Sequence, residues 1–359
     1  MNKESKMMRW LNERYNLSLI EHFAEEKKVP HFRGSFWYYF GGVSLFLFIV
    51  QVVTGILLLM YYQPGAQTAY ESVRFIVMKV QFGWLIRSIH SWSANLMILS
   101  VIIHMFSVYF TKAFRKPREL TWYSGFILLA LCLTFGFSGY LLPWNTLSYF
   151  ATKVGTEIVG VVPFVGKPVM EVLRNGSDVT TATLTRFFAL HVAVLPALFT
   201  VILGVHLLFI QVQGISEPES WKYLPESKKS HIPFFPNFVL RDVLLWLIVL
   251  NVLAILAVYF PWELGHKAEP FAPAPIGIKP EWYFLFMFQS LRFFPPKLLG
   301  VDGEVLGISL FGLAGFLWFL VPFWDSKTSK GSRNRIVNYV GIGVVLYIIV
   351  FTVIGARAK

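Results

Sequence analysis

The sequence predicts an all-α fold, a polytopic transmembrane helical bundle of seven helices. Three observations carry this. Hydrophobic residues make up 55% of the 359-residue chain and charged residues only 14%, a balance too apolar for a soluble domain. Charge-poor stretches recur at about the 20 residues that a helix needs to cross roughly 30 Å of hydrocarbon. Four histidines, His90, His104, His191 and His206, lie inside two of those stretches at similar intervals.

The first stretch lies between Arg33 and Glu71, where no Asp, Glu, Lys, Arg or His occurs. Further runs cover about 88–111, 120–142, 187–212, 243–262, 305–324 and 336–356. The segment from Trp282 to Leu291 is apolar but too short to span, so it reads as a surface or re-entrant helix. Seven crossings put the termini on opposite sides. Of the 32 Lys and Arg, 19 fall on the N-terminal side, in the shorter loops, and 13 on the other. The denser side is expected to be cytoplasmic, which puts the N-terminus inside. His90 and His191 then lie near the outer side, and His104 and His206 near the inner side.

The net charge of +12 fits topology and lipid headgroups rather than nucleic acid. Residues 1–33 are polar and charged, with no cleavable signal peptide in view. The one cysteine, Cys132, sits in an apolar run and reads as a small core residue. Two outer loops are long, 143–186 and 263–304. The second is stiffened by Pro270, Pro273, Pro275 and Pro280. The charged, proline-containing stretch 217–238 marks a boundary. It divides an N-terminal four-helix domain (1–216) from a C-terminal three-helix domain (239–359).

His90 and His104 are 14 residues apart, and His191 and His206 are 15 apart. Along a helix these gaps are about 21 and 22.5 Å. Fourteen steps return to within about 40° of the starting face, and fifteen to within about 60°. Each helix thus shows two imidazoles on one stripe. Two such helices side by side offer two His/His pairs at two depths, an arrangement that would hold two stacked bis-histidine hemes, a four-helix diheme core. Isolated intramembrane histidines also serve as polar contacts between helices. Four at matched depths favour ligation.

Gly41 and Gly55 in the first helix are 14 apart, as are Gly125 and Gly139 in the third. Glycine admits a flat macrocycle close to a backbone, and it also serves helix packing. Arg87 and Arg186 shortly precede the outer histidines and are candidates for heme propionates, or are ordinary interfacial arginines. His22, His31, His231 and His266 lie in tails or loops, where solvated roles are expected. In Pro280-Glu281-Trp282-Tyr283 a carboxylate sits among aromatics. Burial would make Glu281 a proton acceptor, while a hydrogen bond would leave it an interfacial anchor.

The strings FGWLIRSIHSWSAN (82–95), RKPRELTW (115–122), SGYLLPWN (138–145), LTRFFALH (184–191), QGIS (213–216) and PEWYFLFMFQSLRFFPPKLLG (280–300) resemble cytochrome b of the quinol-oxidising cytochrome bc and bf complexes. The resemblance covers about residues 30–356. The 15-residue interval and the count of seven helices lean to the bf branch, as a short cytochrome b fused to a subunit IV. A single fused chain suggests a prokaryotic cytoplasmic membrane.

The resemblance implies a mechanism. Quinol binds at an outer site near Phe137, Tyr140, Pro280, Glu281, Tyr283 and Phe284. One electron passes to a Rieske iron–sulfur protein and on to a c-type cytochrome. The other passes through an outer b heme on His90 and His191 and an inner one on His104 and His206 to a quinone at the inner site. Glu281 takes a quinol proton, with Tyr283 beside it, and a proton gradient results. Family members are homodimers embedded in lipid.

The chain also departs from that pattern. Where bf relatives carry a cysteine that binds an extra heme, this chain has Tyr39, in Tyr39-Phe40-Gly41-Gly42, so no covalent heme is expected. Ser107 and Gln211 replace basic residues expected at the inner end, with Lys112 a candidate substitute. Phe288 stands where many relatives have tyrosine. Two other readings remain: a diheme quinone-reactive anchor of a dehydrogenase without a Rieske partner, and a transporter with histidine proton relays. The first leaves the PEWY loop unexplained, and the second leaves the glycine intervals unexplained.

Overall fold

The computed structural model describes residues 6–15, 27–298, 300–325 and 332–358; His22 lies outside them. Helix α1 (Lys6–Tyr15) precedes a short strand β1 (Lys28–Pro30). Then come α2 (Tyr39–Leu59), α3 (Ala69–Lys79), α4 (Gly83–Phe110) and α5 (Glu119–Leu141). The loop expected at 143–186 holds two helices, α6 (Thr146–Gly160) and α7 (Gly166–Arg174). Helix α8 runs from Thr181 to Gln213, interrupted by a π-helical turn at Leu190–Val194. Strand β2 (His231–Pro233) pairs antiparallel with β1, Val29 opposite Ile232. Next are α9 (Val239–Tyr259), α10 (Trp282–Leu291), a small hairpin β3–β4 (Lys297–Leu298 and Val301–Asp302), α11 (Gly303–Phe319), α12 (Val321–Trp324) and α13 (Ser332–Arg357).

Six helices are long and apolar enough to span a membrane: Ser35–Leu59, Gly83–Phe110, Glu119–Leu141, Thr181–Gln213, Phe234–Tyr259 and Arg335–Arg357. The seventh expected span falls on α11, a shorter apolar helix of 17 residues. Leu320 leaves the helical path after α11, and Pro322 opens the separate turn α12, so the apolar run 305–324 is split in two.

The core is built where α2 packs on α4 and α5 packs on α8. Leu47, Met97, Ile98, Leu128, Cys132 and Phe199 bury one another there, together with Leu253 of α9 and Tyr283 of α10. Cys132 is buried as expected for a core residue. The spanning helices keep much of their outer surface apolar and exposed, as at Ile56, Val201, Leu247 and Ile349, the arrangement expected of helices facing lipid.

The C-terminal part is joined to the rest at both ends. On one side Arg87 of α4 donates to the carbonyls of Trp262 (2.5 Å) and Glu263 (3.1 Å), and Trp92 donates to Phe260 (2.8 Å). Thr146 N–H donates to the His266 carbonyl and Ala268 N–H to that of Trp144, so the proline-rich loop is held along its backbone. On the other side Trp122 Nε1 donates to Phe319 (3.0 Å) and the Tyr109 hydroxyl donates to Val337 (2.7 Å).

Candidate functional site

Two groups of residues converge. The first is the histidine set. His90 lies opposite His191, and His104 opposite His206, each pair close enough for the charge on one ring to act on the other. Each ring also meets one glycine of a neighbouring helix. A Cβ placed on Gly41 would lie 3.1 Å from His104 Cε1, and one on Gly55 would lie 3.3 Å from His90 Cε1. The corresponding distances are 3.1 Å from Gly125 to His206 and 2.6 Å from Gly139 to His191. The 14-residue glycine intervals thus mirror the histidine intervals, first helix to second and third to fourth. In this structure the group each glycine clears is the imidazole edge.

Hydroxyls hold three of these rings. Thr54 Oγ1 lies 2.8 Å from His90 Nδ1, Ser124 Oγ 2.9 Å from His206 Nδ1, and Ser138 Oγ 3.2 Å from His191 Nδ1. His104 Nδ1 is buried with no hydrogen-bond partner among the described residues. These hydroxyls were missed in the sequence, yet the signal is there: Thr54-Gly55, Ser124-Gly125 and Ser138-Gly139 each place a hydroxyl one residue before the glycine.

The π turn at Leu190–Val194 contains His191 and accounts for the 15-residue interval. A π turn takes in one residue more than an α turn. The extra residue is absorbed there, so His191 and His206 return to the relation that His90 and His104 hold 14 residues apart.

The second group surrounds α10. Glu281 precedes the helix, half-buried, and its charge acts on both Tyr140 and Tyr283. Burial pushes the pKa of the Glu281 carboxyl up. Tyr283 is buried, its hydroxyl against Gly136 of α5, and its ring lies 4.8 Å from that of Phe284. Phe284 in turn meets Phe137 edge-on at 6.5 Å. Trp282 Nε1 donates to Asn95 Oδ1 of α4 (2.8 Å), which fixes the start of α10 against the core. Asn95 and Gly136 carry no motif of their own and only the packing reveals them. Pro280 and Phe288 are part-buried on the same segment.

Three expectations meet other geometry. The Arg87 guanidinium bonds the Trp262 and Glu263 carbonyls, because the loop after α9 ends against α4. Arg186 bonds the Val172 carbonyl and Asn175 Oδ1 (2.6 Å), because α7 folds back over the start of α8. Lys112 lies beside the Tyr109 ring, 4.7 Å from its centroid, and among the charges of Arg115, Glu219 and Asp325. At the inner end Ser107 donates to its own helix at His104 O (2.8 Å), and Lys27 donates to Gln211. Among the described residues no group of three or more His, Cys, Asp or Glu is clustered as a metal site.

Fold and site together define an integral membrane helical bundle with two pairs of buried, glycine-faced imidazoles. Residues 26–214 match the family described as Cytochrome b/b6/petB, and residues 267–359 the one described as Cytochrome b(C-terminal)/b6/petD. The cytochrome b subunit of the cytochrome bc complex of Chlorobaculum thiosulfatiphilum is 49% identical over 352 residues, covering 98% of this chain and 81% of that protein. Cytochrome b6 of Cyanidium caldarium is 47% identical over 60% of this chain and 99% of its own length. A solved chain of a hyperthermophilic respiratory Complex III superposes with a TM-score of 0.86 at 30% identity, over 98% of this chain and 91% of that one. The chain belongs to the cytochrome b family, with the b6-like and subunit IV-like parts fused, and is a component of a quinol oxidoreductase complex of the cytochrome bc/b6f type.

Proposed function

We propose that this chain oxidises quinol at the outer site around Glu281 and Tyr283 and divides the two electrons. One leaves to a Rieske iron–sulfur protein, which passes it to a c-type cytochrome, and the other enters this chain. The observation that carries this reading is the grouping of Glu281, Tyr140 and Tyr283 at the start of α10, with Phe137 and Phe284 beside them. A buried carboxyl with raised pKa beside aromatic walls suits a flat, apolar substrate that must give up a proton. Glu281 accepts that proton and hands it to the outer side, and Tyr283 packs against Gly136 to set the site's inner wall. A quinone at the inner end takes up the second electron, and the two half-reactions on opposite sides build a proton gradient.

The residues present fit two b-type hemes. His90 with His191, and His104 with His206, offer two imidazoles each, and Gly55, Gly139, Gly41 and Gly125 leave room at the rings. Bound there, a bis-histidine heme supplies one-electron redox chemistry with no open coordination position. Tyr39 stacks on Phe238 at 4.7 Å, and the one cysteine is buried in α5, so the proposed hemes are non-covalent. The reading also carries a homodimer in lipid, an N-terminus on the cytoplasmic side of a prokaryotic membrane, and the division into 1–216, 217–238 and 239–359.

The test is quinol-driven reduction of cytochrome c by the complex carrying Glu281→Gln. We expect a rate lowered by about 10²–10⁴-fold with both hemes retained by pyridine hemochrome. In the unsubstituted complex the rate falls as pH drops through the raised Glu281 pKa, because a protonated carboxyl cannot accept. The Gln variant lacks that limb. An unchanged rate removes Glu281 from the proton path, and a chain without heme overturns the whole reading.

A further inference from the structure

The four imidazoles differ in what holds them. Thr54 Oγ1 donates its hydrogen to the Val50 carbonyl at 2.6 Å, Ser124 Oγ to Leu120 at 2.9 Å, and Ser138 Oγ to Phe135 at 3.3 Å. A hydroxyl has one hydrogen to give. With that hydrogen on its own helix, each oxygen faces the ring only as an acceptor. The ring must then carry its proton on Nδ1, which leaves Nε2 with a free lone pair. The hydroxyl thus selects the tautomer and fixes the ring plane, as the outer partners of metal-bound histidines do.

The fourth position breaks the pattern. Gly41 faces His104, but the residue before it is Phe40. The Phe40 carbonyl already accepts from Ser44 (2.8 Å) and Ser100 (3.2 Å), and His104 Nδ1 is left buried without a partner among the described residues. The outer pair therefore has two hydroxyl-held rings, and the inner pair has one.

We propose that Thr54, Ser124 and Ser138 are positioning residues for heme ligation, and that the Phe40-Gly41 step makes the inner pair electronically distinct. The inference rests on the reading of these four histidines as heme ligands. A hydroxyl accepting from Nδ1–H makes the ring a stronger donor through Nε2. A stronger donor stabilises the oxidised iron and lowers the midpoint potential. Two acceptors lower the outer site more than one lowers the inner.

The experiment is a redox titration of the intact complex in membranes, followed through the reduced-minus-oxidised b-heme spectrum, with heme per chain by pyridine hemochrome. Thr54→Val keeps the side chain's shape and removes the acceptor, and Thr54→Ser restores the acceptor. We expect Thr54→Val to raise the outer midpoint alone, Ser124→Ala to raise the inner midpoint alone, and Thr54→Ser to leave both unmoved. Loss of the outer heme in Thr54→Val with retention in Thr54→Ser also supports a positioning role. Loss in both variants makes Thr54 a packing residue and overturns the proposal. So do unmoved potentials in Thr54→Val and Ser124→Ala with both hemes present. A parent complex without two b hemes overturns the underlying ligation reading and is told apart by the hemochrome assay on that sample.

Discussion

At the scale of single residues, the glycines facing the imidazoles are graded by distance. A methyl group on Gly139 would stand 2.6 Å from His191 Cε1, closer than real contacts allow, so ring or helix must move. On Gly55 the distance is 3.3 Å from His90, which a few tenths of an ångström relieve. Gly139→Ala is therefore expected to cost about 1–3 kcal/mol and to lose the outer heme. Gly55→Ala should keep both hemes. Heme content of the purified variants checks the ranking, and equal retention would mean that helices α5 and α8 separate freely.

The element that governs alignment is α8. Its π turn sits on His191, and the histidine interval is one residue longer than in α4. Deleting Ala193, inside the turn, should leave a regular α-helix with the two histidines 14 apart, on one stripe as in α4. Deleting Thr200, in the regular part, keeps the π turn and should swing one ring about 100° away from the other. We expect two hemes in the first variant and one in the second. Two hemes in both would show that the turn does not set the alignment. Helix α10 makes a related point. It is too short to span, and it is fixed by Trp282 on Asn95 and by Ser290 on Tyr347 of α13. It holds Glu281 at the core's edge rather than in the lipid.

Across the whole molecule, a buried charge cluster joins the fused parts. Arg115, in the turn between α4 and α5, bonds Glu219 of the connecting stretch (2.5 Å) and Asp325 after α12 (2.8 Å). Arg115→Leu leaves Asp325 buried at 3% exposure without this cation, at a cost of about 3–5 kcal/mol. The double variant with Asp325→Leu should recover most of that loss, read as thermal stability of the complex. Lys112 lies in the same cluster, in the left-handed region at φ 59°, and its Nζ is buried without a hydrogen-bond partner among the described residues. Burial lowers its pKa from 10.5 to about 8. The unfolded chain then binds more protons between those values, so this lysine destabilises most at low pH and the penalty fades as pH rises. Lys112→Met is expected to raise stability most below pH 8 and least above 10.5. A pH-independent gain would assign the effect to packing.

The sequence alone determined that this is a helical membrane bundle, because hydrophobic runs of spanning length have no other way to satisfy their backbone. It also determined which histidines and glycines matter, because a helix converts fixed intervals into a stripe at fixed depths. The matching intervals in three helices were legible before any contact was known. The partner of each glycine was not, because intervals do not say which helix lies alongside. Nor was the π turn, whose extra residue looks like any other in sequence. Arg87 and Arg186 show the limit most clearly. Their positions near the outer histidines suggested anionic partners, but a guanidinium bonds whatever acceptor the fold brings within reach. Here α7 and the loop after α9 bring backbone carbonyls. Local spacing fixes which face of a helix a residue occupies. Only the packing of that face against another element decides what the residue touches.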